Sequence, residues 1–397
     1  MSAGSSMSLV HETAPARSVG SSTGLRLLFL MLGLLALVAG TWGALWRLGW
    51  SLPHGSSLAA LHGPLMIGGL FGTLIGLERA VALGRGWSYA APAFSGLGTL
   101  LLLSGAPTAL GAGAYAVAAA MLAISSLLIT IRQPAVFTGA LLFGALAWLA
   151  GSAIWLMGHP VYDAAGWWLT FLILTIAGER LELSRVAIQG RGSEPSFLFA
   201  IGLLAMGAQN GLMTENGAIL FGIALIVTAL WLLRYDIARR NIRRDGQTRF
   251  MAACMLAGYG WLGLAGLTLM ALPPGESSFA YDIALHAVLI GFVLSMVFGH
   301  ALIILPAVAR IRLRYAPVLY APLVLLHASV ALRIGAGLGE WDMGRKVSGG
   351  LTLLALAAFA GSLVWVSWRA RTLRRDAGLR HGTSLRAASN MGPESAK

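Results

Sequence analysis

Four of the eight histidines fall inside long apolar runs: His62, His286, His300 and His327. An ionisable group at bilayer depth is costly enough that a functional role is the default reading. Imidazole is the commonest metal ligand, and its proton leaves nearest neutral pH. The four therefore point to metal or haem ligation, or to proton transfer. Met66 follows His62 by four residues and Met296 precedes His300 by four, so each pair shares a helix face. Imidazole with a thioether suits copper or an axial haem position. The competing reading is structural. A lone intramembrane histidine often only bonds a neighbouring helix, and His300 could serve a carbonyl freed by Pro306.

A second set is charged. TLIGLERAVAL carries Glu78 and Arg79, and LTIAGERLELS carries Glu179 and Arg180. Each Glu-Arg step comes one or two turns before the expected cytoplasmic end of its helix. The arginines are expected to snorkel to that interface, with the carboxylates pairing with them or carrying protons inward. VFGHALIILP places His300 at the matching level of a third helix. The spacings suggest a 4+4+4 internal repeat.

The elements that hold these residues follow from composition. The chain has 397 residues, 57% hydrophobic and 11% charged, with mean hydropathy +0.77. Soluble domains carry about 25% charged residues. Apolar runs of about 20 residues, each enough for a spanning helix, recur along the chain. Backbone in lipid must bond internally, which selects helices, and the alternating strands of a barrel are absent. The expected fold is an all-α polytopic membrane protein of about twelve helices, over approximately 24–47, 57–83, 89–105, 108–131, 135–157, 163–187, 195–213, 216–234, 249–272, 281–308, 317–338 and 346–369. Residues 24–370 form one transmembrane domain, while 1–23 and the basic 371–397 read as disordered tails. The single Cys254 excludes an internal disulfide, a CxxCH haem attachment and a cysteine-ligated iron–sulfur cluster.

An even helix count puts both termini on one side. That side gathers all but four of the 28 Lys and Arg residues; the exceptions are Arg47, Arg333, Arg345 and Lys346. Positive charge favours the cytoplasm, so both termini are expected there. The net charge of +13 reads as a topology signal and an attraction to anionic lipids. Its scatter over short loops argues against a nucleic-acid partner.

Depth then relates the histidines to one another. His62 and His286 each lie about five residues, roughly 7 Å, into helices that run the same way. At matched depth they can share a haem or a metal. His286 and His300 are about four turns apart on one helix, roughly 21 Å along its axis, so they serve different sites. His300 and His327 are expected to form a second metal or proton site.

Twelve helices in a quasi-threefold arrangement, with a histidine high in helices 2 and 10, resemble the catalytic subunit of haem-copper oxidases. That resemblance implies His62 and His286 as axial ligands of a low-spin haem. It stops short of the oxidase copper centre, because predicted helices 6 and 7 contain no histidine. ALHAVLIGFVLSMVFGHA (284–301) and LHGPLMIGGLFGTLIG (61–76) resemble the NnrS-type membrane proteins. This second resemblance implies haem or copper, a role in electron transfer, nitric-oxide or oxygen handling or metal stress, redox partner proteins, and a bacterial inner membrane.

Two other classes stay open on the residues alone. In a proton-coupled secondary transporter, Gly63-Pro64 would break helix 2 and Glu78 and Glu179 would be coupling groups. In a metal-free scaffold, the 51 glycines would serve close helix packing. No phosphate-cradling loop, nucleophile elbow or HExxH is present.

Overall fold

The computed structural model describes residues 23–184, 192–275, 279–311 and 313–390, without the side chains of 370–390. The fold is an all-α, multi-pass membrane bundle. Among the described residues ten helices are long and apolar enough to cross a bilayer: α1 (Thr23–Arg47), α2 (His62–Leu83), α4 (Thr108–Arg132), α5 (Val136–Leu156), α6 (Val161–Ser184), α8 (Glu215–Tyr235), α9 (Gly246–Ala271), α10 (Ala280–Ala309), α11 (Pro317–Leu338) and α12, apolar over Asp342–Arg369. The third and seventh expected segments are helical but shorter or less apolar. They are α3 (Ala90–Leu103) and α7 (Ser193–Asn210). The backbone of α12 stays helical to Asn390, over residues read from the sequence as a tail. Residues 1–22 and 391–397 lie outside the described residues.

Successive helices pack mainly as antiparallel neighbours, α5 with α6, α8 with α9 and α11 with α12 among them. Small residues set the closest approaches. A Cβ on Gly72 of α2 would sit 2.5 Å from the Trp148 ring of α5, so only glycine lets that ring, itself fully buried, lie against the helix.

Two helices depart from α geometry at matching places. In α2 a π-helical segment, Leu65–Phe71, follows His62 by three residues. In α10 a π-helical segment, Ala287–Leu294, follows His286 directly. The Gly72 N–H closes a wide turn onto the Ile67 carbonyl, and Ser95 Oγ donates to the Gly68 carbonyl at 2.6 Å. Such wide turns concentrate at functional sites.

The two ends of the bundle differ. At the end termed distal, α1 finishes at Arg47 and α2 begins at His62. Trp50 Nε1 there donates to the Lys346 carbonyl at 3.1 Å. The proximal end holds the start of α1 and the Glu-Arg steps. A cavity lies at each level, and Phe71 belongs to the wall of both.

Candidate functional site: two cavities stacked along α2 and α10

The distal cavity, about 80 Å³, is walled by α1, α2, α10, α11 and α12. His62 and His286 face into it from α2 and α10. Their rings are parallel to within 6°, with centroids 6.2 Å apart. A metal–imidazole bond is about 2.0–2.1 Å and a ring centroid lies about 1.1 Å from each nitrogen, so two imidazoles on opposite sides of one ion have centroids about 6.3 Å apart. The spacing fits a shared ion.

The hydrogen bonds fix which nitrogen is free. His62 Nδ1 donates to the Gly40 carbonyl at 2.8 Å. His286 Nδ1 donates to the Asp282 carbonyl, also at 2.8 Å. A carbonyl only accepts, so Nδ1 carries the proton in both rings and Nε2 keeps its lone pair. Among the described residues neither Nε2 has a partner. This is how ligating histidines are usually set, with the second nitrogen tied to the protein.

Asp282 does more for His286 than offer its carbonyl. Its Oδ1 lies 3.2 Å from His286 Nδ1. Arg333 of α11 grips the same carboxylate with two bonds, Nε at 2.9 Å and Nη2 at 2.7 Å. Arg345 stands 3.8 Å away and over the Phe279 ring at 4.0 Å. A polar opening lined by Arg47, Arg345 and Lys346 among others shares Leu48 with the cavity wall. The four cations that the sequence leaves at the distal end thus gather around the histidine pair. Met66 also lines the cavity.

The proximal cavity is larger, about 200 Å³, and its wall holds Glu78, Glu179, Arg180, Met296 and His300. These come from α2, α6 and α10, the three helices that the 4+4+4 reading makes equivalent. The charge pairing is looser and partly crosses helices: Arg79 reaches Glu179 at 3.9 Å. Arg180 does not snorkel as expected. It is 5% exposed and donates to the Met255 sulfur at 3.3 Å, because its side chain turns inward towards α9. A thioether is a weak acceptor for a guanidinium with five N–H groups.

His300 donates from Nδ1 to the Met296 carbonyl at 2.7 Å, not to the carbonyl that Pro306 frees. Its Nε2 is buried without a partner. His327, expected to join it, is elsewhere. Its ring stacks on Trp261, its Nδ1 accepts from the indole N–H at 2.9 Å, and Nε2 lies 3.5 Å from Ser295 Oγ. Both nitrogens of His327 are engaged, in the tautomer opposite to that of the other three. His300 and His327 therefore do not form one site. Among the described residues no group of three or more His, Cys, Asp or Glu side chains could hold a metal ion.

The sequence reading missed Asp282, Arg333 and Gly40. Two signals pointed to the first pair: Asp282 stands four residues before His286, and Arg333 is a lone charge inside an apolar helix. Gly40 contributes only its carbonyl and left no signal.

Comparison with curated proteins finds no match. The family match covers residues 26–368, from the start of α1 to the end of the apolar part of α12, and so takes in both cavities. The chain belongs to the family described as a domain of unknown function, DUF8744.

Proposed function

We propose that the protein is a haem-binding electron carrier of a bacterial inner membrane, with His62 and His286 as the two axial ligands. The observation that carries this reading is the parallel imidazole pair at 6.2 Å, with both Nδ1 atoms bonded to carbonyls. Haem bound there supplies one-electron redox chemistry. With His62 and His286 both holding the iron, no position would remain for oxygen or nitric oxide, which favours electron transfer.

The surrounding residues suit the part. The apolar wall excludes water. Arg47, Arg345 and Lys346 would hold the carboxylates of the macrocycle at the distal opening. Asp282, held by Arg333, would make His286 a stronger donor. The positive charge on the proximal loops supports a cytoplasmic proximal end with both termini inside. Anionic lipids would bind that face, and redox partner proteins would meet the other.

The decisive measurement is an absorption spectrum with metal and haem analysis of protein purified from haem-replete cells. A Soret band with one haem per chain is expected. A colourless, metal-free preparation overturns the proposal. Met66 in the same cavity favours copper as a second reading, since two imidazoles and a thioether suit Cu(I). Metal analysis separates the two.

A further inference from the structure

The proximal cavity has a different chemistry, and its polar groups are only partly used. Among the described residues the buried Arg180 guanidinium makes one side-chain bond, to a sulfur. Among the same residues His300 Nε2 is a buried acceptor with no partner. Unpaired groups of this kind are costly in a low-dielectric interior, and a native structure keeps few of them without a reason. Glu78 and Glu179 share the cavity, and Glu78 has no ion-pair partner within 4 Å among the described residues.

The composition of the site narrows what fits. An anion would meet two carboxylates. A bare metal ion would find no cluster of three ligating His, Cys, Asp or Glu side chains. What remains open is a donor (Arg180) together with acceptors (His300 Nε2 and the carboxylates), in a wall that is otherwise apolar. A ligand that matches this is neutral, is soluble in lipid, and carries oxygens that accept in one state and donate in another. A quinone carbonyl accepts from a guanidinium, and a quinol hydroxyl donates to an imidazole or a carboxylate.

Access is consistent with this. The wall includes Leu30 of α1 and Phe359 of α12. These two helices are the least buried of the ten spans, at 33% and 28% of their apolar windows. A ligand that partitions into the bilayer therefore reaches the cavity past the two helices most open to lipid.

We infer that the proximal cavity is a binding site for a lipid-soluble quinone or quinol, held between Arg180 and His300 with Glu78 and Glu179 at its polar end. The inference concerns this cavity alone and does not require haem at the distal one.

The test uses the full chain in detergent micelles, titrated calorimetrically with decylubiquinol under anaerobic conditions and with decylubiquinone in parallel. Labelling with an azidoquinone then maps the contact peptides. Saturable one-to-one binding is expected, with labels on α1, α6 or α10. Two variants should each weaken decylubiquinol binding by about tenfold, the scale of one lost hydrogen bond at about 1.4 kcal/mol. His300→Leu removes the acceptor of the quinol hydroxyl, and Leu30→Trp fills cavity space without touching a polar group. The double variant His62→Ala/His286→Ala should still bind quinone, so failure of the haem reading leaves this result intact. Absence of saturable binding overturns the inference. So does binding that both single variants leave unchanged, or a co-purified phospholipid in the cavity that decylubiquinone does not displace.

Discussion

The two cavities share α1, α2, α10 and α12 and the Phe71 side chain, yet they treat their polar groups in opposite ways. In the distal cavity the pairing is tight and directional. Arg333 holds Asp282 through two bonds, Asp282 holds His286, and Gly40 holds His62. Among the described residues the two Nε2 atoms are left open, and beside them only Arg345 Nε, at the edge of the site, has no partner. In the proximal cavity the one ion pair is 3.9 Å long, and Arg180 and His300 keep open valences. Rigid pairing with a single exposed function suits a ligand that stays. Loose pairing with both donors and acceptors exposed suits a ligand that comes and goes.

The contrast breaks most visibly at the histidines. His62→Ala and His286→Ala should each abolish the Soret band, whereas His300→Ala should leave it in place. Equal losses from all three would merge the two sites into one. Next in size are the arginines. Arg333→Met removes the two-bond partner of the half-buried Asp282 carboxylate, which keeps Arg345 at 3.8 Å, and the loss of hydrogen bonds to a charged group costs about 1.5–3 kcal/mol. Arg79→Met breaks a long, partly exposed pair worth about 1 kcal/mol or less. Thermal unfolding of the two variants in one detergent measures the difference, and similar losses would show that pairing is not tighter at the distal end.

A smaller effect sharpens the role of Asp282. Asp282→Asn keeps the backbone carbonyl that orients His286 and removes the charge behind it. Redox titration should show the midpoint potential rising by about 60 mV, a tenfold change for a one-electron couple, with the band positions of the oxidised form retained. An unchanged potential would reduce Asp282 to a structural partner of Arg333. The smallest change is expected at His327→Phe, which loses one hydrogen bond from Trp261. In a bilayer protein that bond is worth about 0.6 kcal/mol, so a slight loss of stability with an unaltered spectrum is the outcome to look for.

The fold was largely legible because hydropathy encodes it. Each of the twelve expected segments is helical, and α3 and α7 fall short only in length or apolarity. Depth was legible as well, which is why His62 and His286 could be matched. Azimuth was not. His300 and His327 were brought together on depth alone, but Trp261, from a helix distant in sequence, draws the His327 ring away. The four turns counted from His286 to His300 assume α geometry, and eight of the intervening residues are π-helical. Arg180 was read as snorkelling because charge near a helix end usually does so. Its inward turn depends on Met255 of α9, which no local pattern announces.

The π-helical stretch of α2 also couples the two levels mechanically. A wide turn holds more residues than an α turn, so it sets the phase between His62 above it and Glu78 below. Deleting one residue from Leu65–Phe71 and letting the turn tighten to α geometry would leave His62 and Glu78 each on its own cavity, because the wide turn holds about one residue more than an α turn. Deleting one residue from the α-helical stretch that starts at Gly72, before Glu78, would instead rotate Glu78 by about 100°, one α-helical residue step, away from the proximal cavity. The stretch is slack between the two cavities, and loss of a residue there would keep them in phase while loss of one just below would not.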